Sequence, residues 1–109
     1  MENTEARWAG MLRALGHPVR LGIMRRLAAE PETCACDFSD VFTLKQPTVS
    51  QHLKVLREAG LVTTRRRGTQ ICYSVQPGAI VEITDMLGAL TAHPEPGPTH
   101  LPETARSSA

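Results

Sequence analysis

Apolar residues return every three or four positions through the first half of this chain, and that rhythm predicts four helices. Trp8, Met11, Leu12 and Leu15 form one stripe, which predicts a helix from about Glu5 to Leu15. Gly16-His17-Pro18 interrupts it. Pro18 then suits the first turn of a second helix, where its missing N–H is not needed. Val19, Ile23, Met24 and Leu27 are the buried side of that helix, and Glu30-Pro31-Glu32 ends it. A short third helix is expected from near Cys36 to Phe42, with Phe38, Val41 and Phe42 as core contacts. Thr43-Leu44-Lys45 is a tight connection. A fourth helix follows over roughly Gln46 to Ala59, with Pro47 in its tolerant first turn. Val49, Leu53 and Leu56 must face inward, and Gly60 closes the helix in the left-handed conformation.

The period then changes. Leu61-Val62-Thr63-Thr64 and Ile71-Cys72-Tyr73-Ser74-Val75 are β-prone runs on either side of Arg65 to Gln70. They predict a two-stranded hairpin with a basic, glycine-containing tip. Pro77-Gly78 turns the chain into a last helix from about Ala79 to Leu90, with Ile80, Ile83, Leu87 and Leu90 on one side. The segment from Pro94 to Ala109 is rich in Pro, Ser and Thr and has little to bury, so disorder is expected there. The expected organisation is one domain over residues 1–92 and a tail over 93–109. The fold class is mainly α: a winged helix-turn-helix of five helices with a two-stranded β-hairpin as the wing.

In that design the second helix of the pair enters the major groove and the first crosses the backbone. With its apolar face turned in, the fourth helix presents Thr48, Gln51, Lys54 and Glu58, with Ser50 at the edge. Hydroxyls and amides near its start, Gln46 included, both donate and accept and suit base edges and phosphates. Lys54, Arg57 and the run Arg65, Arg66, Arg67 are expected on phosphates. The formal net charge of +1 is uninformative by itself. Its distribution is not, because Lys45, Lys54, Arg57, Arg65, Arg66 and Arg67 face only Glu58 within the stretch 45–67.

At 109 residues a single core is possible, but much apolar surface stays uncovered and a second copy is a natural cover. Aromatic residues are 4 %, so Leu, Ile, Val, Met and Ala must fill the interior. No apolar run is long enough for a membrane span, and no signal peptide is evident, so a cytoplasmic location is expected. No catalytic base or phosphate-cradling glycine loop accompanies the cysteines, so an enzyme is not expected. Three cysteines in such a compartment are expected to stay reduced, which favours metal binding or thiol chemistry over a disulfide scaffold.

The segment Gln46-Pro47-Thr48-Val49-Ser50-Gln51-His52-Leu53-Lys54-Val55-Leu56-Arg57-Glu58-Ala59-Gly60-Leu61-Val62 closely resembles the recognition-helix signature of the ArsR family of bacterial repressors. Leu15-Gly16-His17-Pro18-Val19-Arg20-Leu21-Gly22-Ile23 resembles that family's second-helix motif. The likeness covers about residues 7 to 91. It implies a homodimer in which the first and last helices pair across a two-fold axis. Such a dimer reads double-stranded operator DNA with half-sites a multiple of ~34 Å apart.

Thr33-Cys34-Ala35-Cys36-Asp37-Phe38 carries the candidate sensor chemistry. Thiolates select soft, thiophilic ions. A structural zinc site wants four ligands, and no further Cys/His pair stands at a familiar spacing. As(III) or Sb(III) needs only a low, pyramidal sulfur coordination. On a regular helix positions two apart lie about 200° around the axis, so both sulfurs could meet one ion only if the start of the third helix were distorted. An ion that prefers the distorted state shifts the population away from the DNA-competent one. The segment also resembles the Cys-Val-Cys-Asp-Leu stretch of arsenite-responsive members of the family. In some of those a third cysteine follows three residues later, where this chain has Ser39. Cys72, a small-molecule thiol or solvent are the candidates for that ligand, although Cys72 by itself reads as a core residue. Cys34 and Cys36 are therefore the expected metal site, As(III) or Sb(III) the expected inducer, and no cofactor is required. The alternatives are a redox or persulfide sensor, or a sensor of Cd or Pb, on the same fold. Glu82, Asp85 and His93 read as surface residues. His17 reads as a cap or surface residue, His52 as a packing or DNA-face residue, and His100 as part of the tail.

Overall fold

The computed structural model describes residues 3–92, apart from the side chains of Cys36, Asp40 and Val41. The segment 93–109, with His93 and His100 and the expected tail, lies outside the described residues. Five helices and three strands follow one another as α1 (Thr4–Leu15), α2 (Pro18–Ala29), β1 (Thr33–Cys34), α3 (Ala35–Phe42), α4 (Gln46–Glu58), β2 (Val62–Arg67), β3 (Gln70–Val75) and α5 (Pro77–Ala89). The fold is mainly helical with a small antiparallel sheet.

Local chemistry explains the helix ends. Asn3 accepts the backbone N–H of Ala6 and caps α1, and His17 does the same for Val19 at the start of α2. His17 is thus a cap, as expected. Helix α4 ends in a Schellman arrangement. The N–H of Leu61 reaches the Leu56 carbonyl at 3.0 Å and that of Gly60 reaches Arg57 at 3.0 Å, with Gly60 at φ +80°. Between α3 and α4 the chain turns at Thr43, which sits in the left-handed region at φ 50°. A β-branched residue is uncommon there, so the packing on both sides must hold it.

Ile23 and Leu27 of α2, Phe38 of α3, and Val49, Leu53 and Leu56 of α4 are buried together with Leu61. These are the positions the periodicity selects. Met11, Ala14 and Ile83 join them from the outer helices α1 and α5. Gly22 lets α2 approach α3 closely, since a Cβ there would stand 2.9 Å from Cε1 of Phe42. Leu12 of α1, Val81 and Leu87 of α5, and Leu90 at the C-cap of α5 remain exposed. The two outer helices are tied by Glu82, which accepts from the Arg7 guanidinium and from Nε1 of Trp8 at 2.8 Å. Glu82 is therefore part of a packing contact and not a free surface residue.

The sheet departs from expectation in two ways. It has three strands in the order β1-β3-β2, because Thr33 and Cys34 add to the outer side of β3. The hairpin is also longer than the β-prone runs suggest. Arg65, Arg66 and Arg67 belong to β2 itself, and Gly68 (φ +63°) with Thr69 makes the tip. Long side chains on a two-stranded ribbon are compatible with extended backbone wherever their heads reach water. Likewise Pro77-Gly78 is the first turn of α5 and not a separate loop, as a helix readily accepts Pro at that place.

Candidate DNA interface and thiol site

Three buried contacts, Val49, Leu53 and Leu56, fix the rotation of α4, so the opposite side is set for solvent. Thr48, Ser50, Gln51, Lys54, Arg57 and Glu58 are all exposed, and so is Gln46 at the first position of the helix. They form a polar face beside the wing. Gln46 is engaged: its Oε1 accepts the Ser39 hydroxyl at 2.5 Å, which links α3 to the start of α4. His52 is half-buried beside His17 and lies 3.3 Å from a guanidinium nitrogen of Arg20. Its pKa is lowered, first by burial and then by the charges of His17 and Arg20. It is a packing residue of the α2–α4 contact.

The wing arginines are not equivalent. Alternation along β2 puts Arg65 and Arg67 on one face and Arg66 on the other. Arg65 grips Glu32 with two nitrogens, both at 2.9 Å, and Arg67 adds a third contact at 3.1 Å. The Arg65 hydrogen bond is the main reason that the Glu32 carboxyl lies below its ordinary range. Arg66 is exposed and makes no ion pair among the described residues.

The cysteines differ most from expectation. Cys34 and Cys72 are joined by a disulfide, with Cα atoms 3.8 Å apart. Register is the cause, since Cys34 lies directly opposite Cys72 on β3. The expectation that all three thiols stay reduced is corrected by this bond. Cys72 is buried, but it is also the bonded partner of Cys34 and so belongs to the site. Cys34 is in the short strand and forms the N-cap of α3, with extended backbone at φ −84° and ψ 153°. The two cysteines therefore do not share one helix as expected, because only Cys36 lies within α3 and Cys34 precedes it. The side chain of Cys36 is outside the described residues. Among the described residues no cluster of three or more Cys, His, Asp or Glu could hold a metal ion. An open hollow of about 520 Å³ beside Cys34 is lined by Arg67, Gly68 and Gln70.

One participant and one pairing were not legible in the sequence. Glu32 reads in the sequence as part of the end of α2, and its partners lie 33 and 35 residues away. Cys72 could be paired with Cys34 only by knowing that Thr33-Cys34 adds a strand.

Residues 17–64 match the family model described as "Bacterial regulatory protein, arsR family", which spans the helix-turn-helix and reaches the first wing strand. The chain is 35 % identical over 82 residues to an uncharacterized HTH-type transcriptional regulator of Methanocaldococcus jannaschii, covering 75 % of this chain and 92 % of that protein. The chain belongs to the ArsR family.

Other comparisons agree. An arsenical resistance operon repressor of Escherichia coli is 36 % identical over 67 residues, or 62 % of this chain and 57 % of that one. The crystal structure of the transcriptional repressor BigR from Xylella fastidiosa superposes with a TM-score of 0.58 at 36 % identity, covering 78 % of this chain and 87 % of that one. This ArsR-family chain is a transcriptional repressor with a winged-helix fold, and its family is one of DNA-binding regulators and not of enzymes. No helix among the described residues is long and apolar enough to cross a membrane.

Proposed function

We propose that this repressor works as a homodimer in the cytoplasm and leaves its operator when As(III) or Sb(III) is captured by the thiolates of Cys34 and Cys36, with Cys72 as the third sulfur. The observation that carries this reading is the antiparallel register of Cys34 on Cys72. It holds two sulfurs in contact at the N-cap of α3, the first helix of the DNA-reading pair. Once reduced, such a pair offers a soft ion two preplaced thiolates, which suits a low-coordinate thiophilic ion better than a four-ligand zinc site. The likeness to a relative named for arsenical resistance supports the same choice.

The DNA-facing set of this reading is Gln46, Thr48, Ser50, Gln51, Lys54, Arg57, Arg65, Arg66 and Arg67. Exposed Leu12 on α1, Val81 and Leu87 on α5, and Leu90 at its C-cap are the apolar surface available to the partner copy.

The bonded sulfurs also favour a second reading, in which Cys34 and Cys72 form a redox switch and an oxidant is the inducer. Fluorescence anisotropy on labelled upstream promoter DNA separates the two. The first reading expects arsenite to release the reduced wild type and to leave the Cys34→Ser/Cys36→Ser variant bound, with Cys72→Ser weakening the response. Release by an oxidant with no response to arsenite overturns it in favour of the second.

A further inference from the structure

The pairing of Glu32 with the wing arginines has no role in either reading, yet it spans the sensor and the DNA interface. Glu32 is the residue immediately before β1, and β1 consists only of Thr33 and Cys34. Its attachment to β3 is the two partners Thr33↔Tyr73 and Cys34↔Cys72. On the other side of Cys72 lies Arg65, its partner in the β2–β3 ladder. Directly opposed residues share a face of a sheet, so Cys34, Cys72 and Arg65 share one, and Arg67 follows two residues along. The Glu32 carboxylate meets Arg65 and Arg67 on that face in the way a phosphate would, with a bidentate grip on one guanidinium. Two cations that DNA would draw on are thus already engaged by one carboxylate next to the sensor strand.

We propose that Glu32 is a positioning residue through which the state of Cys34 sets the charge that the wing offers to DNA. With Cys34 fastened to Cys72, β1 is pinned to β3 and Glu32 holds Arg65 and Arg67. With Cys34 free, β1 loosens and both guanidiniums pass to phosphates. This rests on the thiol-sensing reading and gives it a route to the wing that does not require α3 to unwind. The sign is right for derepression, since the closed sensor is the state with fewer cations for DNA. The fastening step balances without further parts: two thiols lose two protons and two electrons to an added azo oxidant such as diamide, which becomes its hydrazine.

The test compares wild type, Glu32→Gln and Glu30→Gln on labelled upstream DNA, in the diamide-oxidised and phosphine-reduced states, across a range of salt. Glu30 is paired with Arg26 on α2 and controls for the loss of one negative charge. Each phosphate neutralised adds ~0.9 to the slope of log affinity against log salt. Oxidised Glu32→Gln is therefore expected to bind more tightly than oxidised wild type, with a slope steeper by ~1.8, so that its advantage shrinks ~12-fold between about 50 and 200 mM salt. Reduced proteins are expected to bind alike, and Glu30→Gln to follow wild type throughout. An Arg65→Gln/Arg67→Gln background should abolish the gain. Parallel slopes for oxidised wild type and Glu32→Gln, an equal gain from Glu30→Gln, or a gain that survives without the two arginines would each overturn the proposal. Wild-type affinity that ignores the disulfide overturns the redox reading and this proposal together, whereas a wild type that responds while its slope matches that of Glu32→Gln overturns this proposal alone.

Discussion

Reduction of the Cys34–Cys72 bond should cost this small domain a large part of its stability. The bond joins residues 38 apart, and α3, the α3–α4 turn, α4 and the hairpin tip all lie inside the loop it closes. The chain-entropy relation gives ~4 kcal/mol for a loop of that size at room temperature. Domains of this length hold only ~5–15 kcal/mol in total, so the loss is a sizeable fraction. With a urea slope of ~2 kcal/mol/M, the unfolding midpoint should fall by ~2 M when the bond is reduced. Urea titration followed by circular dichroism, with and without a phosphine reductant, measures this directly. Protein concentration must be equal in both arms, because the proposed dimerisation would couple stability to concentration. A thiol count gives an independent check. Of three cysteines, two are joined, so the oxidised chain denatured without reductant should titrate one thiol, that of Cys36. Three titrating thiols, or midpoints that coincide in the two arms, would refute the reasoning.

Other outcomes follow from the same structure. Leu53→Ala removes a wholly buried side chain from the centre of the helix-turn-helix and should cost ~2–5 kcal/mol, read by the same urea titration. Glu82→Gln should make stability less sensitive to acid. The hydrogen bonds from Arg7 and then Trp8 hold the Glu82 carboxyl below its ordinary value of 4.5. The unfolded chain therefore takes up the proton first, and the contribution, present above about pH 4.5, is lost as pH falls through the lower folded value. Melting curves from pH 7 to 3 should show the gap between wild type and variant closing at the acid end. Leu87→Asp/Leu90→Asp places charge on exposed apolar positions at the end of α5 and its C-cap. Sedimentation should then report a monomer that melts much as wild type does at low concentration, and a dimer that persists would rule this face out.

Helix positions were legible because burial demands a period of 3.6, and Val49, Leu53 and Leu56 obey it on α4. The DNA-facing side of that helix followed by subtraction. The sheet was harder to read. A two-residue strand such as Thr33-Cys34 has no period, and its existence depends on the open edge of β3 more than on its own residues. Contacts set by that strand were equally hidden, so the pairing of Cys34 with Cys72 and of Glu32 with Arg65 could not be foreseen from spacing. The wing boundary was misplaced because three arginines look like a loop. Their alternation along β2 shows them instead as strand residues with two different outlooks.

The N-cap of α3 carries a further consequence. Cys34 occupies a position where Ser, Thr, Asp or Asn would accept a backbone N–H, and no side-chain cap bond is made there. In the reduced protein a Cys34→Ser change would supply that bond and stabilise the helix by up to ~1 kcal/mol. One nucleotide separates the two codons, so on the proposed sensing reading a deaf repressor is a single mutation away, sturdier than the reduced wild type but without the ~4 kcal/mol that the Cys34–Cys72 bond supplies. On that reading the cysteine persists only where the response and the bond to Cys72 together are worth more than the cap. The same arithmetic bears on the bench: Cys34→Ser both removes a sulfur and stiffens α3, whereas Cys34→Ala removes the sulfur alone, and the two should be compared whenever deafness is assigned to the thiol.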